Sequence, residues 1–266
     1  MKSHKFFRFV AHHQKICTAL FAIIPIFCLV IVLITIQAGA GAYVIFPLLL
    51  ILLCEAFCKT CANQLMSYAT KELYDKCNPN PLLQETTDTL KYTKEGVRRQ
   101  ILIIDYAMAL GTLGEHEFAY QQLSEINIDK HAGMLPAGKV VYYNNLGYYA
   151  HLLGKSETAD FLHQKALAIY NTLKKGKQKD YLKITMLSSQ ASACLRAGDP
   201  IGALSYANQM TPDSLYATID HSWLLAEIYL AQEDIASAKH HLKIVASSNP
   251  SLYIVKEAKR LLAEME

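Results

Sequence analysis

Cys54, Cys58 and Cys61 are the residues of this chain whose type and spacing come nearest to chemistry. In CEAFCKTC the thiols stand at i, i+4 and i+7, and three thiolates hold an iron–sulfur cluster while leaving one iron open. On a helix the same spacing is a single stripe. The segment closes a long apolar run, and no strand–helix alternation surrounds it to build the α/β scaffold such an enzyme needs. The thiols are therefore read as small apolar side chains that face a neighbouring helix. An iron–sulfur enzyme using Cys54, Cys58 and Cys61 is the weakest of three functional readings.

Other reactive patterns dissolve in the same way. Leu153-Gly154-Lys155-Ser156 has the ending of a phosphate-binding loop, but that loop needs a glycine where Tyr149 stands, and a preceding strand. Among ten histidines, His12-His13 and His240-His241 are adjacent. Neighbours on a helix point about 100° apart and cannot share one metal. The run Lys174-Lys175-Gly176-Lys177-Gln178-Lys179 reads as a solvated loop. No catalytic residue, metal, cofactor or small-molecule substrate is expected.

Bulk properties narrow the classes further. A formal charge of +3 with scattered basic residues gives no basis for nucleic-acid binding. Seven cysteines without a paired framework fit a reducing compartment. Alternating period-two runs bounded by turn dipeptides are missing, so the chain is predicted to be all-α.

The elements that would position a site begin with a basic flank over residues 1–15, where Lys2, Lys5, Arg8 and Lys15 mix with three phenylalanines. Residues 16–37 carry no charge and are long enough to cross a bilayer, which takes about 20 apolar residues. A small-residue stretch, Ala38 to Ala42, leads into a second apolar run, 43–57. A cleaved leader has a shorter apolar core than the first run. Two spans in succession therefore predict a transmembrane helical hairpin over 16–61. Lys59, Lys71 and Lys76 repeat the basic flank, which places both termini and everything after the hairpin in the cytoplasm of an integral membrane protein. A juxtamembrane helix and linker over 62–81 end at Asn78-Pro79-Asn80-Pro81.

From residue 82 to 266 the sequence repeats by offset from four turns, at Gly114, Gly154, Gly198 and, more weakly, Glu233. Seven residues earlier stand Ala107, Gly147, Ala191 and Ala226; five later stand Ala119, Ala159, Ala203 and Ala238; twelve later stand Ile126, Ala166, Met210 and Val245. Small side chains at such places let two antiparallel helices approach closely. Asp199-Pro200 adds an N-cap followed by a first-turn proline. Longer connections are expected at 127–139 and 173–183. The pattern resembles the tetratricopeptide repeat (TPR), a helix-turn-helix unit of about 34 residues. The resemblance implies an α-solenoid of about four helix pairs, with 251–266 as a C-terminal capping helix over the open end.

The resemblance also implies a concave groove lined by the first helix of each pair. Its walls would carry Asn144, Asn145, Tyr148 and His151 in the second pair, Ser188, Ser192 and Arg196 in the third, and Trp223 with Glu227 in the fourth. Trp223 is equally well read as filling a seam between helices. Some relatives clamp a C-terminal carboxylate with lysine and asparagine, but here Ile104, Met108, Thr185 and Ser189 occupy the places around Asn145, so that clamp is not built. The function implied is a membrane-tethered adaptor that binds a cytoplasmic protein or peptide. The alternative is a structural subunit of a larger membrane complex, recognised through its spans.

Overall fold

The computed structural model describes residues 41–128 and 133–265 together with Ile23 and Ile26; the side chains of 41–51, 54, 55, 58, 59 and 62 lie outside the description. Eleven α-helices and no strand are found among the described residues, so the chain is all-α there. Contacts divide it into two compact units, 1–69 and 70–266.

In the first unit the described backbone is the greater part of helix α1, Gly41–Lys76. Positions 54, 58 and 61 are all helical within it. Among the described residues no helix is long and apolar enough to cross a membrane. The predicted first span, 16–37, lies outside the described residues apart from Ile23 and Ile26, and the predicted second span, 43–57, falls on α1. The described helices thus lend the transmembrane hairpin no support.

The second unit holds the end of α1 and ten further helices. They are α2, Asn80–Leu90; α3, Val97–Leu113; α4, His116–Ser124; α5, Pro136–Leu152; and α6, Ser156–Thr172. They continue as α7, Lys177–Arg196; α8, Pro200–Ala207; α9, Leu215–Ala231; α10, Ile235–Ala246; and α11, Tyr253–Glu264. Consecutive helices pack in four pairs, α3 with α4, α5 with α6, α7 with α8 and α9 with α10. The first members also pack in succession, α3 on α5, α5 on α7 and α7 on α9, which makes an inner layer.

The four turns share one geometry. Gly114, Gly154, Gly198 and Glu233 all lie in the left-handed region, with φ of 100°, 73°, 73° and 61°. In each, the next residue donates its N–H five positions back: Glu115 to Leu110, Lys155 to Ala150, Asp199 to Cys194 and Asp234 to Tyr229, at 2.9–3.0 Å. This bond satisfies a carbonyl that the helix end would leave unpaired. Cys77 also ends α1 in the left-handed region, with φ of 54°, but there Asn78 N–H donates six positions back, to Glu72 at 3.0 Å, so the stop comes just before the proline pair. An aspartate caps the helix after each of the last two turns, as the sequence predicts for Asp199. Asp199 accepts from Gly202 N–H at 2.8 Å, ahead of Pro200, and Asp234 accepts from Ser237 N–H at 3.1 Å.

The small residues sit in the seams. Ala107, Ala191 and Ala226, and Ala119, Ala203 and Ala238, are fully buried, and Ala159 nearly so. A Cβ on Gly147 would stand 3.3 Å from Leu162 Cβ and 3.4 Å from the Ala159 carbonyl, so α5 and α6 approach as closely as their backbones allow. Larger residues fill what remains. One apolar cluster joins the first two pairs, another joins Val140, Ala166, Leu182 and Met186, and a third joins Leu187, Ala191, Ala203, Leu224 and Ile228.

Two expectations about connections need correction. The link expected over 173–183 is only 173–176, because Gly176 at φ 139° turns the chain and Lys179 donates to the Leu173 carbonyl at 3.2 Å, starting α7 at once. The link expected over 127–139 ends at Leu135, because Pro136 opens α5 from its first turn. A third correction concerns the last helix. Rather than only covering an open end, α11 packs on α10 and also reaches α3. Its Tyr253 ring lies edge-on to His116 at 4.5 Å, and a Cβ at Gly114 would come within 2.9 Å of it. The last helix therefore links the fourth pair back to the first.

Candidate functional site

The inner layer and α11 surround a cavity of about 270 Å³, and its wall takes residues from every pair. On α5 they are Asn144, Asn145 and Tyr148; on α7, Ser188, Ser192 and Arg196; on α9, Trp223 and Glu227. Eight of the nine residues predicted for a groove thus share one wall. His151 is not among the lining residues; it is half-buried near Arg196 and Asp160, and its proton affinity is lowered by burial first and by Arg196 second. The places that failed to form a carboxylate clamp, Met108, Thr185 and Ser189, line the same space, while Ile104 is buried in the first seam.

Several wall residues escaped sequence reasoning. Tyr216 and Asp220 precede Trp223 and Glu227 on α9, and the four stand at i, i+4, i+7 and i+11. That spacing is one helical stripe, so the pattern was present in the sequence once Trp223 had been placed on the wall. Tyr74 from the end of α1 and Tyr253 from α11 were not accessible that way, because both come from outside the repeated pairs. The Tyr74 ring meets Tyr216 edge-on at 5.8 Å. Trp223 packs against a cluster containing Cys77, Ile219 and Leu242, as its seam reading expects, and also borders the cavity.

The electrostatics of the wall are dominated by acids. Burial pushes the Asp220 carboxyl up to about 6. Burial and then the Asp220 charge push Glu227 up to about 8, partly offset by a hydrogen bond from the Trp223 indole. Asp105 on α3, which does not line the cavity, is also pushed up to about 6 by burial. The Tyr148 and Tyr216 hydroxyls are raised well above the ordinary phenol range, by burial first and by Asp220 next. Tyr148 is nevertheless 41% exposed. The two facts agree if its exposed area opens into the cavity, where protein on most sides still weakens solvation of a charge.

Among the described residues Arg196 is the only lysine or arginine on this wall, and its Nε is committed to Asp160 at 2.9 Å. His163 Nδ1 lies 2.8 Å from Ser189 Oγ; burial and Arg196 lower its proton affinity, which favours the neutral ring at pH 7. Among the described residues no group of three or more His, Cys, Asp or Glu is arranged to hold a metal ion. The side chains of Cys54 and Cys58 lie outside that description. What the wall offers chemically is hydrogen bonding from amides and hydroxyls, aromatic faces, and two carboxyls on one helical stripe, Asp220 and Glu227, that bind protons or cations near neutral pH.

No family model, curated protein or solved structure matches the chain.

Proposed function

We propose that this protein is a membrane-tethered, TPR-like adaptor that binds a protein or peptide partner in the cavity of its helix-pair array and acts by recruitment rather than catalysis. One observation carries the binding part: a single cavity draws wall residues from all four first helices. A ligand seated there touches every pair simultaneously, which is how stacked repeats turn many small contacts into one specific surface. Tyr148, Trp223 and Arg196 belong to the residue types that dominate binding energy at interfaces. The tether is supported by the uncharged run 16–37, by the second apolar run 43–57, and by the basic residues that flank them, which favour a cytoplasmic array.

The alternative, a complex subunit recognised through its apolar segments, differs in where affinity resides. Proximity labelling by the full chain in its native host separates the two. With Tyr148→Ala and Ser188→Tyr combined, helical content retained, the labelled partners should fall to background. A partner set unchanged by that double variant sinks the cavity reading and leaves recognition to the apolar segments.

A further inference from the structure

The stripe on α9 has an unusual charge situation. Asp220 and Glu227 are seven residues apart, two helical turns or about 10 Å along the axis, with Trp223 between them on the same face. Both carboxyls lie where solvation is weakened, and the Asp220 charge makes ionisation of Glu227 less favourable still. Among the described residues no lysine or arginine is paired with either. Arg196, the one lysine or arginine among the cavity's described lining residues, is already held by Asp160. Around this acid–tryptophan–acid stripe stand the rings of Tyr74, Tyr148, Tyr216 and Tyr253.

Aromatic faces attract cations, most strongly where water is scarce, and carboxylates add a larger attraction of the same sign. A guanidinium satisfies both demands at once, because it stacks flat on an indole or phenol and presents N–H groups at its edge to carboxylates. The cavity, at about 270 Å³, stands just under the usual range for small-ligand pockets, about 300–1,000 Å³. It therefore accommodates one long side chain better than a folded segment.

We infer that the cavity captures an arginine side chain presented by a partner polypeptide, with the guanidinium over Trp223 and between Asp220 and Glu227. This rests on the cavity reading above and adds the chemical identity of the anchor. Lysine is the weaker occupant, having charge but no plane to stack. Acidic or neutral side chains leave the two carboxyls uncompensated.

The test uses the full chain purified in detergent, with calorimetry against capped nonapeptides that differ only at a central arginine, lysine, citrulline or glutamate. Trp223, the only tryptophan, reports occupancy by its fluorescence. Arginine should bind most tightly, and citrulline, which keeps the shape and loses the charge, about tenfold or more weakly. Asp220→Asn and Glu227→Gln, checked for unchanged helicity, should each weaken the arginine peptide by about the same factor while leaving the citrulline peptide within twofold. Equal binding of arginine and citrulline, or arginine binding indifferent to both variants, overturns the inference while leaving a peptide cavity intact. If capped arginine alone binds as tightly as the nonapeptide, the site holds a small cation and the polypeptide occupant is wrong. If none of the peptides binds, the cavity reading fails with it.

Discussion

The seams between paired helices and the wall of the cavity are built from the same helices, often from adjacent residues, yet they obey opposite rules. Ala191 is fully buried in a cluster with Ala203, Leu224 and Ile228, whereas Ser192, the next residue, lines the cavity. In the seams the offsets seven before and five after the turn carry only glycine or alanine, where helices approach closely, and the offset twelve after carries apolar residues. On the wall the same helical positions carry serine, asparagine, tyrosine, aspartate and tryptophan, and no two pairs agree. Repetition fixes the scaffold, and the wall is left free to vary.

The sharpest way to break that contrast is to overfill one seam and its neighbour on the wall. Ala191→Leu adds three carbons where there is no space and should cost about 3 kcal/mol of stability in chemical denaturation. Ser192→Leu puts the same side chain into the cavity and should change stability by less than about 1 kcal/mol. Equal losses would mean that the wall is packed as tightly as the seam, and the division of labour argued here would be gone.

This contrast also explains what was legible in the sequence. Seam positions announced themselves because sterics repeat with the period of the fold, so Ala107, Gly147, Ala191 and Ala226 aligned at one offset without reference to coordinates. Glu233 looked like the weakest turn because left-handed backbone favours glycine, yet its geometry is the same as that of Gly154, with Asp234 capping the next helix. The wall was legible only by analogy, through the expectation that first helices face inward. That expectation reached Tyr148 and Trp223 but not Tyr74 or Tyr253, since nothing periodic marks residues supplied from beyond the repeats. The link from α11 to α3 was unreadable for a related reason. It depends on how slight rotations between successive pairs accumulate, which no local spacing records.

A pH-dependent effect sharpens the same comparison from the side of charge. Wall acids raised by burial destabilise the fold as they ionise, so their cost is absent at low pH and grows as pH rises. Glu227, ordinarily near 4.5, is pushed up to about 8. Relative to Glu227→Gln, the native protein should show no pH-dependent loss below about pH 4.5, then lose stability progressively up to about pH 8 and level off, by roughly 5 kcal/mol at most and less where water reaches the carboxyl. Thermal melts of both proteins from pH 4.5 to 8.5 check this. A constant difference across the range would place Glu227 in ordinary solvent and remove the electrostatic character assigned to the wall.

The central claim is that partners are met inside the array and not on its outer face. Tyr148 on the wall and Phe161 on α6 are both exposed, at 41% and 60%, but only Tyr148 borders the cavity. A photo-crosslinking amino acid placed at position 148 or at position 161 of the full chain, irradiated in the native host, compares the two faces directly. The account predicts a discrete crosslinked partner from position 148 and background from position 161. A partner captured from position 161 with nothing from position 148 would contradict it.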